Sequence, residues 1–126
     1  MIYVASPYSH PDKDERQKNF MAANYWCHVN QGYFREFLFS PIVYHHFNVT
    51  QFSMPTDFTP YKELNEDCIL ASSQLILLAL PGWTHSAGCK AEVAFARSRG
   101  IPCSIIDEPS QYLYQSGLRT FTNAYL

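Results

Sequence analysis

Residues 75–81, LILLALP, form an unbroken apolar run. A strand with one wet face alternates apolar and polar side chains, so a continuous run reads as a strand covered on both faces, as in a parallel sheet between helices. Parallel neighbours need crossover connections, and the rest of the chain supplies them. IYVA (2–5) is a short apolar strand stopped by Ser6 and Pro7, after which Pro11, Asp12, Asp14 and Glu15 form the acidic opening of a helix. That helix is predicted to run to about Asn30, with Gly32 as its stop. FREFLFSPIV (34–43) holds a second strand ending near Ser40 and Pro41.

Between Tyr44 and Asp57 no periodicity is visible, and prolines stand at 41, 55 and 60, so this stretch is expected to be one long loop, a length common in functional lids. A helix restarts at Thr59 and Pro60, with Tyr61, Leu64, Cys68 and Ala71 as its expected apolar face. After the run at 75–81 a helix from about Gly88 to Arg99 closes at Gly100 and Pro102, and CSII (103–106) is the next strand. The aromatic tail, residues 107–126, is expected to form a short helix docking on a neighbouring copy.

The alternation predicts one domain over residues 1–126: a small doubly wound α/β fold, Rossmann-like or flavodoxin-like, with four to five parallel strands flanked by helices. At 126 residues, 47% hydrophobic, the chain is long enough for one core of ordinary size. Nine Lys and Arg against eleven Asp and Glu give a net charge of -2, which argues against a nucleic-acid polymer as partner. No apolar stretch approaches the ~20 residues of a membrane span and the start MIYVASPYSH lacks a signal-peptide pattern, so a cytoplasmic protein without membrane contact is expected. Cys27, Cys68, Cys89 and Cys103 form no C-x-x-C pair and read as small hydrophobes. With no carboxylate or cysteine at ligand spacing from His45 and His46, no metal site is expected.

Ligands of such sheets bind beyond the carboxyl ends of the strands, which directs attention to residues 6–10, 41–57 and 81–88. The first holds Ser6, Pro7, Tyr8, Ser9 and His10; the second His45, His46 and Phe47; the third Gly82, Trp83, Ser86 and Gly88. Glycine permits close backbone approach, Trp83 and Phe47 offer stacking surfaces, and Ser86 is either an anion contact or a plain helix N-cap. No G-x-x-x-x-G-K or G-x-G-x-x-G motif is present, which disfavours an NTPase or a dinucleotide enzyme. Glu92 falls in the first or second turn of the helix facing this crevice, where the helix dipole favours the carboxylate. Such a group acts as a nucleophile or bonds sugar hydroxyls, and Asp67 is a second carboxylate able to converge on the same strand end.

The stretches IYVASPY (2–8), SPIVYHH (40–46) and LILLALPGWTHSAGCKAEVAFARSRGIP (75–102) resemble the nucleoside 2-deoxyribosyltransferase-like superfamily, most closely its small phage and bacterial branch DUF1937, over roughly residues 1–107. The resemblance implies that Glu92 attacks the anomeric carbon of a nucleoside, that Asp67 handles the proton of the base, and that Tyr8 places a hydroxyl near the nucleophile. Ser86, six residues before Glu92, matches related deoxynucleoside 5'-monophosphate N-glycosidases, whereas transferases carry aspartate there. SPYSHPD (6–12) departs from those hydrolases in lacking a glycine-rich loop with arginine, leaving phosphate recognition to Ser6, Ser9, His10, His45 or His46.

The expected function is therefore N-glycosidase or deoxyribosyltransferase chemistry on a nucleoside or its 5'-monophosphate, by double displacement through Glu92 and without a cofactor. The family completes its sites with residues of a neighbouring chain, so a homodimer or higher homo-oligomer is expected, with Asn123 and Tyr125 of the tail reaching a base. The rival expectation is a nucleotide-binding protein that has lost turnover; a structural phage protein ranks third.

Overall fold

A computed structural model describes residues 1–54, 61–107 and 121–122, the last pair as backbone only. Its strands are β1 (Ile2–Ala5), β2 (Leu38–Phe39), β3 (Gln74–Leu78), β4 (Cys103–Ile106) and β5 (Phe121–Thr122). The helices are α1 (Lys13–Asn30), α2 (Pro41–Phe52), α3 (Lys62–Leu70) and α4 (Ala87–Ser98). The sheet order is β2-β1-β3-β4-β5; the first four strands are parallel and β5 pairs antiparallel with β4. This is the flavodoxin-like doubly wound arrangement, with its switch point between β1 and β3.

Alternation along the central strands divides the core in two. Ile2 and Val4 of β1, Ile76 and Leu78 of β3 and Ile106 of β4 pack with Ala23, Trp26 and Cys27 of α1. Tyr3 and Ala5, Leu75 and Leu77, Cys103 and Ile105 face the other way, onto Ile69 of α3 and Cys89, Val93 and Ala96 of α4. Helices on both faces explain why LILLALP shows no polar alternation.

Local chemistry sets the helix ends. The side chains of Asp12, Ser40 and Ser86 cap α1, α2 and α4 by accepting backbone N–H bonds from Asp14, Val43 and Cys89. Gly100, at φ 73°, ends α4: its N–H donates to Arg97 O and that of Ile101 to Ala96 O, the paired bonds of a Schellman motif. Gly32 plays no such part, because α1 runs on into a 3-10 turn, Gln31–Tyr33, and only Gly82 and Gly100 among the described glycines have positive φ.

Three expectations are corrected. Residues 41–52 are helical rather than a loop, started by the Ser40 cap and Pro41 and ended by left-handed Ser53. The helical period was hidden because two histidines, His45 and His46, sit on the buried face with Ile42 and Val49, while Tyr44, Phe47 and Phe52 lie on the exposed one. In α3 the inward residues are Asn65 and Ile69, not Leu64 and Ala71, which are exposed; a polar side chain again occupies an inward position. Within the tail, Phe121–Thr122 is a strand where a helix was expected; the remainder of that expectation, like residues 55–60, lies outside the described residues. Cys27, Cys89 and Cys103 are buried and Cys68 is half-buried, all as free thiols.

Phe47 is exposed in the interior of α2, so proline there removes a helical hydrogen bond without disturbing the core. Phe47→Pro is expected to lower the unfolding free energy by about 3 kcal/mol in a urea titration. A near-neutral result would return this segment to an irregular loop.

Candidate functional site

A cavity of about 310 Å³ opens at the carboxyl end of the sheet, near the switch point. Ser6, Tyr8 and Ser9 line it from the loop after β1, Pro41, Ile42, His45 and Val49 from α2, and Tyr61 and Asn65 from the start of α3. His85, Ser86, Ala87, Gly88 and Glu92 line it from the turn after β3 and from α4. All three segments singled out from strand-end position contribute, the middle one as a helix.

Glu92 is 5% exposed, and the Tyr3 phenol donates a hydrogen bond to its Oε2. Tyr3 points toward α4 because it alternates with Ile2 and Val4, and its ring is fully buried, edge-on to Phe39. Burial pushes the Glu92 carboxyl up to about 7, against the Tyr3 hydrogen bond, which favours the carboxylate. The helix dipole expected to keep Glu92 ionised is worth about 0.3–1 kcal/mol near a surface, whereas displacement from 4.5 to about 7 corresponds to about 3 kcal/mol, so burial wins. Burial and the adjacent Glu92 charge raise Tyr3 far above the ordinary tyrosine range, and it stays protonated as the donor.

Tyr8 is bonded to a second buried group. Its Oη lies 2.7 Å from His46 Nδ1, and His46 Nε2 lies 2.8 Å from Gln17 Oε1. Phe20 stacks on the His46 ring at 4.2 Å. His46 does not line the cavity but stands behind Tyr8; burial, then Arg16, lowers its pKa. Burial likewise raises Tyr8.

A few other polar atoms of the wall lack hydrogen bonds of this kind. Among the described residues six buried side-chain N and O atoms make no hydrogen bond, and four of them belong to this wall: Ser6 Oγ, both ring nitrogens of His45 and Asn65 Oδ1. Asn65 stands beside the imidazole, close enough to favour its protonated form, yet burial is stronger and lowers His45. The Tyr61 ring lies 3.8 Å from that of His45. Native folds satisfy nearly all buried polar atoms, so a cluster of unsatisfied ones marks a surface completed by a ligand or water.

The remaining sequence candidates separate. Ser86 lines the cavity, but its Oγ accepts from Cys89 N at 3.1 Å, the helix-cap role. Gly88 is in the wall; Gly82, at φ 88°, serves the preceding turn, and Trp83 packs half-buried against the core face of α4. Pro7 is buried behind the wall, and His10 and Phe47 are exposed outside it. Asp67 is exposed on α3 and does not line the cavity; Asn65, two residues earlier, takes the inward position. Asn123 and Tyr125 lie outside the described residues. Sequence reasoning missed Tyr3, Tyr61, Asn65 and His85; for Tyr3, a phenol inside a fully buried strand was the available signal. Among the described residues, no three His, Cys, Asp or Glu side chains converge as metal ligands would, and no helix is long and apolar enough to cross a membrane.

Fold and cavity together define an α/β protein with an enzyme-like architecture: a cavity at the switch point of a parallel sheet, with a buried carboxyl group in its wall. The chain belongs to the DUF1937 family, described as a domain of unknown function, whose model matches residues 1–108. Comparison with curated proteins gives no match.

A carboxyl group raised from 4.5 to about 7 by burial favours the fold most when neutral, so its stabilising contribution is complete below 4.5 and is lost as pH rises through about 7. Glu92→Gln, which keeps the shape and cannot ionise, is expected to be more stable than wild type at pH 8.5 by up to about 3 kcal/mol relative to the difference at pH 4. Parallel urea-derived stability curves from pH 4 to 8.5 would contradict this placement of Glu92.

Proposed function

We propose that this protein cleaves the N-glycosidic bond of a nucleoside or its 5'-monophosphate, with Glu92 as nucleophile. The observation that carries the reading is a single carboxyl group buried at a cavity of about 310 Å³ and held at one oxygen by a phenol that does not ionise. That volume falls within the range of small-molecule sites, about 300–1,000 Å³. Tyr3 engages Oε2, leaving Oε1 as the oxygen without that bond and therefore the attacking atom. Membership of DUF1937 and the resemblance of residues 75–102 to nucleoside deoxyribosyltransferases support the same chemistry.

The reaction runs as a double displacement. Glu92 Oε1 bonds to C1' as the C1'–N bond breaks and its electron pair leaves with the base, which takes up a proton. Water then attacks C1', and the ester electrons return to the carboxylate. The attacking form is ionised Glu92, which becomes available as pH rises through about 7. Unpartnered groups on Ser6, His45 and Asn65 serve the substrate's own donors and acceptors.

A second reading, a nucleotide-binding protein without turnover, is favoured by one observation: Asp67, the carboxylate matched to base protonation, does not line the cavity. Incubation with deoxynucleosides, ribonucleosides and their 5'-monophosphates, followed by chromatography, separates the two. The glycosidase reading expects free base from wild type and a loss on the order of 10³-fold or more in Glu92→Gln. Intact ligand that raises the melting temperature of both proteins, with no base released by either, would replace it with the binding reading.

A further inference from the structure

We infer that Tyr8, His46 and Gln17 form a proton relay that activates the water attacking the glycosyl-enzyme, an inference that rests on the N-glycosidase reading. The direction of the relay follows from its outer end. Gln17 offers a carbonyl oxygen at 2.8 Å, which only accepts, so His46 Nε2 carries the hydrogen. A neutral imidazole protonated there has its lone pair on Nδ1, and the Tyr8 hydroxyl at 2.7 Å is therefore the donor. Tyr8 directs its proton away from the cavity and into α2; its oxygen is also within hydrogen-bond reach of the Arg16 guanidinium, and its remaining lone pair is left to accept from a ligand or water. Burial and Arg16 keep His46 below its ordinary value, so at neutral pH it rests unprotonated. Phe20, stacked on the ring, fixes its plane.

The path has one end at a residue lining the cavity and the other at a histidine outside it, across three elements: the loop after β1, α2 and α1. No such path is needed merely to satisfy Tyr8, since a single acceptor would do. Glu92 does not serve as base in the second half-reaction, because its carboxylate is then esterified to C1'. The water proton passes to Tyr8 Oη as the proton of Tyr8 passes to His46 Nδ1; the C1'–O(Glu92) bond breaks and its electrons return to the carboxylate. Imidazolium His46, its Nε2–H accepted by Gln17, then releases the added proton back through Tyr8 to solvent, replacing the proton the base took up on leaving. Nucleoside and water are consumed, free sugar and free base are formed, and every residue returns to its starting state. Tyr8 is the catalytic group of this step, and His46 and Gln17 are positioning residues.

Pre-steady-state kinetics on whichever nucleoside or monophosphate wild type cleaves separates the two half-reactions. Tyr8→Phe and His46→Phe are expected to keep a burst of one base per active site while steady-state turnover falls by about 10²-fold or more. Intact-mass analysis of quenched samples should show the sugar on the protein. Azide attacks without losing a proton and should restore turnover in both variants as glycosyl azide. Gln17→Leu, altered at the exposed outer link, should show the same pattern more weakly and covers the case in which His46→Phe fails to fold. Equal slowing of burst and steady state, without azide rescue, would overturn the relay and leave Tyr8–His46 as a tie between a loop and α2. Base release that survives Glu92→Gln, or no base release by wild type, would overturn the glycosidase reading itself and the relay with it.

Discussion

The hydrogen bond from Tyr3 to Glu92 joins the middle of the sheet to the helix that follows β3, and the geometry of the cavity depends on it. Tyr3 has no freedom to choose another partner: its position in β1 points it at α4, and its ring is wholly enclosed. Glu92 in turn is the buried charged side chain of α4, a helix whose other inward residues are Cys89, Val93 and Ala96. Burying a carboxyl group there is unfavourable at neutral pH, and a methyl or amide would pack at lower cost. An ionisable group kept in such a place, at a cavity wall, is the feature on which the proposed nucleophile rests.

The treatment of other buried polar groups sharpens the contrast. Away from the cavity, Asn30 donates to Trp26 O, Ser72 donates to Cys68 O, and Ser40 caps α2. Around the cavity, Ser6, His45 and Asn65 keep atoms without partners, although each belongs to a rigid element or to the short loop after β1. Trp26 Nε1 and Ser104 Oγ show that the fold tolerates isolated exceptions, but not a cluster on one wall elsewhere among the described residues. The same wall contains Tyr8, whose hydrogen bond leads into His46 and Gln17. One side of the site is thus tied into internal bonds while the other carries the atoms without them.

Much of the sheet was legible in the sequence because burial on both faces erases polar alternation: IYVA, LILLALP and CSII could hardly be anything but covered strands. The caps and the Gly100 stop were equally readable, being local chemistry. Helix α2 was not, since its inward face carries His45 and His46 and its outward face carries Tyr44, Phe47 and Phe52, inverting the pattern by which amphipathic helices are found. The inversion coincides with the cavity: the histidines face inward, one lining it and the other bonded to Tyr8. Asn65 was missed for the same reason on α3, and the expectation fell on Asp67 because a carboxylate carries more evident chemistry than an amide. Glu92 was singled out by position, but its protonation was misjudged, since burial is a tertiary property and the helix dipole a local one.

The central claim is that Glu92 is a buried, Tyr3-bonded carboxyl group poised between its two protonation states at neutral pH. The most direct test is a ¹³C NMR titration of the glutamate side-chain carboxyls in wild type, Glu92→Gln and Tyr3→Phe. One resonance, absent from Glu92→Gln, should titrate at about 7 in wild type and move higher in Tyr3→Phe, where the bond favouring the carboxylate is gone. A Glu92 resonance titrating near the ordinary 4.5 and indifferent to Tyr3 would contradict the account.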